Sequence, residues 1–196
     1  MGAALEKVSE PGTEIRKVQE LIREKVFKTF ESNSRFENAT VKSCPSDEPV
    51  YAHSMAVIML LGNPVRIVLK THFTPLNAKK ALANRRNKKP EEIEQRLADD
   101  FIRELSNLTA GAIKSMLINN GIVTGLSLPL VTRGFDELIF SDKIEEGDYV
   151  DSWDIEWPGG KVTFTSGVKI DQPELFAGAS FEEEEEEEDD DDGEFL

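Results

Sequence analysis

The sequence predicts an α+β domain of two layers, a mainly antiparallel sheet with one long helix packed on it. Three observations lead there. Val65, Ile67 and Leu69 alternate with Arg66, Val68 and Lys70 after Gly62-Asn63-Pro64, the pattern of a hairpin closed by turn residues. Trp153, Ile155 and Trp157 alternate before Pro158-Gly159-Gly160, and Val162 and Phe164 alternate after it, which makes a second hairpin. Between the two, Ile93, Leu97, Phe101, Leu105, Leu108, Ala112 and Met116 recur at steps of three and four, the period of an amphipathic helix.

In chain order, residues 1–12 mix Gly, Pro and scattered charges and read as a disordered lead before a domain over 13–175. Ile15, Val18, Leu21, Ile22, Val26 and Phe30 follow at helical spacing, so a helix with Thr13 as N-cap runs to about Ser32 and lies on the core. A loop rich in turn formers comes next, with a short strand around Ala39 to Lys42. His53 to Leu61 is the first arm of the first hairpin. Thr74-Pro75 opens a second helix, and its basic end, Arg85 to Lys89, suits the negative end of a helix dipole or forms a loop. Lys89-Pro90-Glu91-Glu92 starts the long helix, with Pro in the first turn and acids at the positive end of the dipole. That helix ends at Asn119-Asn120-Gly121, residues that tolerate a left-handed cap. Ile122 to Val131 reads as one strand that closes at Pro129, and the last hairpin slips its alternation near Gly167 before Val168 and Ile170.

Charge is concentrated at one end. Twelve carboxylates and no Lys or Arg lie between Glu182 and Leu196, and removing them from the net −15 leaves −3 for the rest. Residues 176–196 therefore read as an acidic tail that cannot bury enough apolar surface to offset its ordering entropy. A mildly acidic body has little to offer a nucleic-acid backbone, which excludes that class of partner. No apolar run reaches the length of a membrane span and the N-terminus has no signal-peptide pattern, so a cytoplasmic protein without a membrane partner is expected. The single cysteine, Cys44, excludes an intramolecular disulfide, and with only His53 and His72 as imidazoles no metal site is expected. Both histidines read as strand-end surface or hydrogen-bonded core residues without a site role, and Trp153 and Trp157 as core or dimer-interface aromatics.

The long helix carries a second stripe. Asp100, Glu104, Asn107, Gly111 and Lys114 follow at spacings of four, three, four and three and share one face. Most polar stripes of this kind are solvated surface. Here Asn107 is a poor helix former with no capping task, and a mid-helix Gly111 costs about 1 kcal/mol relative to Ala. A glycine one turn from an exposed amide would let another backbone come close.

The segment DDFIRELSNLTAGAIKSML, with D-x-x-x-E-x-x-N followed by A-G-x-x-K, resembles the active-site helix of the CheC/CheX/FliY chemotaxis phosphatases. The hairpin HSMAVIMLLGNPVRIVLK, the helix TPLNAKKALA and the strand GLSLPLVTRG lie in CheX-like order around it, so the resemblance covers roughly Tyr51 to Ile170. It implies a CheX-like domain and a phosphatase that acts on the aspartyl phosphate of a response-regulator receiver domain (CheY-like). Asn107 would then orient the attacking water and Glu104 would pair with the receiver's lysine, with Asp100, Gly111 and Lys114 as docking contacts. No cofactor of its own is implied; Mg2+ is expected on the receiver. The chain has one E-x-x-N helix, as CheX-like proteins do, and no second copy with that spacing, which implies one site per chain and a homodimer. The Gly62-Asn63-Pro64 turn, the longer first helix and the acidic tail depart from the family pattern. Two other readings stand beside the phosphatase: a noncatalytic module that binds a receiver or a flagellar or chemotaxis component, and a charge-based binder of basic proteins through the tail.

Overall fold

The computed structural model describes residues 12–45, 50–133 and 149–181. The first helix, α1, spans Thr13–Ser34, with Gly12 rather than Thr13 at the N-cap. It buries Val18, Leu21, Ile22, Val26 and Phe30 along one side. Strand β1 (Thr40–Ser43) follows, then the hairpin of β2 (Ser54–Leu61) and β3 (Val65–Phe73). Gly62 is required at that hairpin's turn, because a Cβ there would meet the Val123 carbonyl oxygen at 2.5 Å.

Helix α2 (Pro75–Arg86) begins as its sequence dictates, with the Thr74 hydroxyl accepting from the Asn77 amide at 3.2 Å and proline in the first turn. Pro90–Glu92 does not open the long helix but forms a separate 3-10 turn, in which the Lys89 amide donates to Glu92 Oε2 at 2.8 Å. The extended Ile93 and Glu94 then separate it from α3, Gln95–Asn119. The start signal was real, but the acids it contains satisfy a single turn.

The expected strand over Ile122 to Val131 is two short ones, β4 (Gly125–Leu126) and β5 (Leu130–Arg133), both antiparallel to β2. Pro129 cannot donate to a ladder, and between the two strands Ser127 takes over. Its amide donates to the Met59 carbonyl and its hydroxyl accepts from the Met59 amide, both at 2.9 Å. Strands β6 (Tyr149–Trp157) and β7 (Gly160–Ile170) form the last hairpin, turned by Pro158 and Gly159, whose φ is +88°. No slip occurs near Gly167: Val162, Phe164, Ser166 and Val168 all point inward, with Ser166 the polar member of an unbroken alternation.

The sheet runs β1-β6-β7-β3-β2-β4, with β5 also beside β2, and its pairings are all antiparallel. One face carries the helices: α3 lies on β2 and β3, α1 on β7 and β6, and α2 reaches β7. Ala56, Ile58 and Leu60 of β2, Val65, Ile67 and Leu69 of β3, and Trp153 and Ile155 of β6 fill the interface. At one end Phe30, Phe36 and Trp157 stack with centroids 4.9 to 6.2 Å apart. Arg23 ties α1 to the sheet through a bidentate pair with Asp151, both bonds 2.5 Å, and lies over Trp153. Both tryptophans are core residues.

Past residue 175 the described chain is still packed, since Phe176 is buried and Phe181 lies against the core. The lead over residues 1–11 and the acidic segment 182–196 fall outside the described residues.

Candidate functional site

Helix α3 decides where the stripe points. Its buried residues are Ala98, Phe101, Ile102, Leu105, Ser106, Thr109, Ala110, Ile113 and Leu117. This face is rotated from the one apolar spacing suggests: Phe101 and Leu105 are inside, but Leu97 and Leu108 are 37% and 41% exposed, and Ala112 and Met116 are half-buried. Ser106 and Thr109 can go inside because their hydroxyls donate to the Ile102 and Leu105 carbonyls, at 2.9 and 2.8 Å. With their polar atoms satisfied, burying them costs little.

The opposite face presents Asp100, Glu104 and Asn107 to solvent, with Gly111 and Lys114 half-buried beside them. All five lie along one helix, so the structure brings together what the spacing placed together. Among the described residues the side chains of Glu104 and Asn107 make no hydrogen bond or ion pair within the chain, and Lys114 has no carboxylate partner. Asp100 is engaged, paired with Arg103 one turn on. Gly111 is the most informative member. A Cβ built there meets nothing within 4 Å, and its φ is not in the left-handed region. Neither packing against the described residues nor backbone conformation requires glycine, although a helix interior disfavours it by about 1 kcal/mol.

Sequence reasoning missed the apolar part of this face. Leu108 sits beside Asn107, and Ile118 is 45% exposed further along. The available signal was the i−4 hydroxyl pattern of Ser106 and Thr109, which allows polar residues inside and so displaces leucines outward.

Other polar clusters serve the fold. Asp154 is buried on the sheet; burial alone would raise its carboxyl, but hydrogen bonds from Lys161 Nζ (2.6 Å) and from Thr163 outweigh it and hold it below the ordinary carboxylate value. Burial pushes the Cys44 thiol up, with Asp154 nearby adding to it. His72 is 2% exposed, its Nε2 is 3.1 Å from the Thr165 hydroxyl, and burial, helped by Lys70, brings it down to about 4. His53 is exposed beside Ser54. Among the described residues no three His, Cys, Asp or Glu side chains converge on a metal position, and no helix is long and apolar enough to cross a membrane.

No protein-family model matches the chain, and no curated protein matches its sequence. Solved structures do match. A CheC-like superfamily protein from Shewanella sp. PV-4 is similar with a TM-score of 0.62 and 14% identity, over 81% of this chain and 99% of that one. A chain of the CheX-CheY-BeF3-Mg2+ complex from Borrelia burgdorferi is similar with a TM-score of 0.62 and 14% identity, over 78% and 97%. Thermotoga maritima FliY follows at 0.54 and 13%, over 88% and 100%. At these identities the likeness is one of architecture: the chain has a CheC/CheX/FliY-like fold.

Proposed function

We propose that this protein hydrolyses the aspartyl phosphate of a response-regulator receiver domain, using the outward face of α3. The observation that carries the reading is that face itself. An acid and an amide one turn apart stand in solvent without partners among the described residues, beside a glycine that none of those residues requires. A CheX from a solved structure of the same fold was crystallised with CheY, BeF3 and Mg2+, which supports a receiver as the partner.

The chemistry asks little of the protein. An acyl phosphate held beside the receiver's own Mg2+ is already activated, so the partner has only to place a water in line with phosphorus. Asn107 suits that task because its carboxamide both donates and accepts and stays neutral beside the phosphate. A carboxylate in its place would be repelled. Glu104 pairs with the receiver's lysine and sets the docking register, while Asp100 and Lys114 contact the rim and Gly111 admits a close backbone. Water attacks phosphorus, the bond to the aspartyl oxygen breaks, and inorganic phosphate leaves. The protein needs no cofactor of its own, works in the cytoplasm with its substrate, and forms a homodimer through its sheet; light scattering that finds only monomer would remove the dimer and leave the chemistry untouched.

The test is phosphate release from a panel of phosphorylated receiver domains. Acceleration by the wild type and its loss in Asn107→Ala are expected. If receivers bind but none is dephosphorylated faster, the protein is a noncatalytic receiver-binding module.

A further inference from the structure

The chain stays on the domain after its last strand. Beyond β7 the amides of Asp171 and Gln172 donate to the Pro64 carbonyl at 2.9 and 3.3 Å, beside the turn of the first hairpin. A 3-10 turn over Pro173–Phe176 follows and buries Phe176. The Ala179 amide then donates to the Phe176 carbonyl at 3.2 Å, the Ser180 amide donates to Asn120 Oδ1 at 3.0 Å, and Phe181 lies against the core. Residues 171–181 thus form a strap from the first hairpin to the C-terminal end of α3.

The residue that the strap holds is chemically distinctive. Asn120 is the one asparagine of the nine in the sequence that precedes a glycine. With no side chain on the following residue, the backbone nitrogen meets least hindrance in reaching the asparagine Cγ. Gly121 is exposed, so water reaches the pair. In the folded chain the reacting groups are engaged. Asn120 Nδ2 donates to the Met116 carbonyl at 3.0 Å, its Oδ1 accepts from Ser180, and the Gly121 amide donates to the Ile118 carbonyl at 2.8 Å. Gly121 sits at φ 75°, in a left-handed cap that also joins the Ile122 amide to the Leu117 carbonyl at 2.8 Å. The cap therefore restrains the nucleophile and the strap restrains the electrophile.

We propose that Asn120-Gly121 is a deamidation site and that the strap is its gate. When Ser180 lets go and the cap opens, the Gly121 nitrogen loses its proton to water and bonds to Asn120 Cγ. The Cγ–Nδ2 bond breaks, a proton ends on Nδ2, and ammonia leaves. Water then opens the succinimide ring to aspartate or isoaspartate, so the net reaction consumes one water and releases one ammonia. Either product removes the donor to Met116 and sets a carboxylate at the negative end of the α3 dipole. Isoaspartate also lengthens the backbone and displaces the acceptor of Ser180, so the modified cap holds the strap less well. Local opening sets the rate, and the reaction turns a transient release of the strap into a permanent one.

Peptide mapping by mass spectrometry tests it on the full chain, aged in mildly alkaline buffer with the fold followed by circular dichroism. Asn120 is expected to be the first asparagine modified. Its rate in the folded chain should be about tenfold or more below that in urea, since only the opened form reacts. Ser180→Pro removes the amide donor, and Phe181→Ala loosens the end of the strap but keeps that amide. Each should speed the reaction about fivefold, the change that one lost hydrogen bond makes to an opening equilibrium, and if one variant fails to fold the other decides. Asn87, exposed at the left-handed cap of α2, should keep its rate in both. Equal rates in buffer and urea, an unchanged rate in the folded strap variants, or earlier modification of another asparagine would each overturn the proposal. No receiver enters the experiment, so its failure is distinct from a failure of the phosphatase reading.

Discussion

The two faces of α3 obey different rules. Inward, Ile102, Leu105, Ile113 and Leu117 meet the sheet and neighbouring helices, and even the hydroxyls of Ser106 and Thr109 are satisfied within the helix. Outward, two leucines and an isoleucine face solvent, an acid and an amide have no partner among the described residues, and a glycine sits where a Cβ would meet nothing within 4 Å. The inward face is explained by the chain's own packing. The outward face is not explained by the packing of the described residues.

The largest effect that would sharpen the contrast is on stability. Leu105→Ala opens a cavity in the core and should cost about 2–5 kcal/mol, whereas Leu108→Ala on the other face should stay within about 0.5 kcal/mol. Chemical denaturation compares them directly; equal losses would mean that Leu108 is part of the core after all.

Next comes turnover. Asn107→Ala should leave the melting temperature in place and slow phosphate release by about 100-fold, with receiver affinity little changed. Wild-type turnover in this variant would return α3 to the status of an ordinary solvated helix. Glu104→Ala is expected to weaken receiver binding by about 1–3 kcal/mol, more at low ionic strength than at high; titration calorimetry at two salt concentrations would show it.

The pH profile contrasts α3 with the sheet beneath it. His72 is brought down to about 4 from 6.5 by burial, so the fold favours its neutral form. That contribution is complete above 6.5 and is lost as pH falls toward 4, amounting to about 2 kcal/mol at pH 5. Asp154 changes the balance only further down, below its ordinary 3.8. Denaturation between pH 4 and 7 should therefore lose its slope in His72→Leu. A slope that persists would place the titrating group elsewhere.

The smallest effect has the most pointed sign. Gly111→Ala should raise stability by about 1 kcal/mol, since the methyl group meets nothing and the helix gains propensity, while receiver binding weakens. A variant that gains stability and loses no binding would remove the glycine from the docking surface.

Much of this was legible in the residues. Turn chemistry is local, so Gly62-Asn63-Pro64 and Pro158-Gly159-Gly160 declare their hairpins without help from the rest of the chain. Thr74-Pro75 likewise starts its helix by a bond between neighbours. The common face of Glu104 and Asn107 follows from helical spacing alone, because residues three apart stay together whichever way the helix is turned. The rotation of that helix is another matter. Apolar residues at 97, 101, 105 and 108 and at 98, 102, 105 and 113 offer two overlapping stripes, and periodicity cannot choose between them. Contact with β2, β3, α1 and α2 chose the second, which sent Leu97 and Leu108 outward. Tertiary structure also decided that Ile122 to Val131 is broken at Ser127, that β1 joins β6 across more than a hundred residues, and that Ser180 meets Asn120 at the end of α3. Each depends on which distant segments meet, and the energy of such meetings is spread over many contacts that no single stretch of sequence contains.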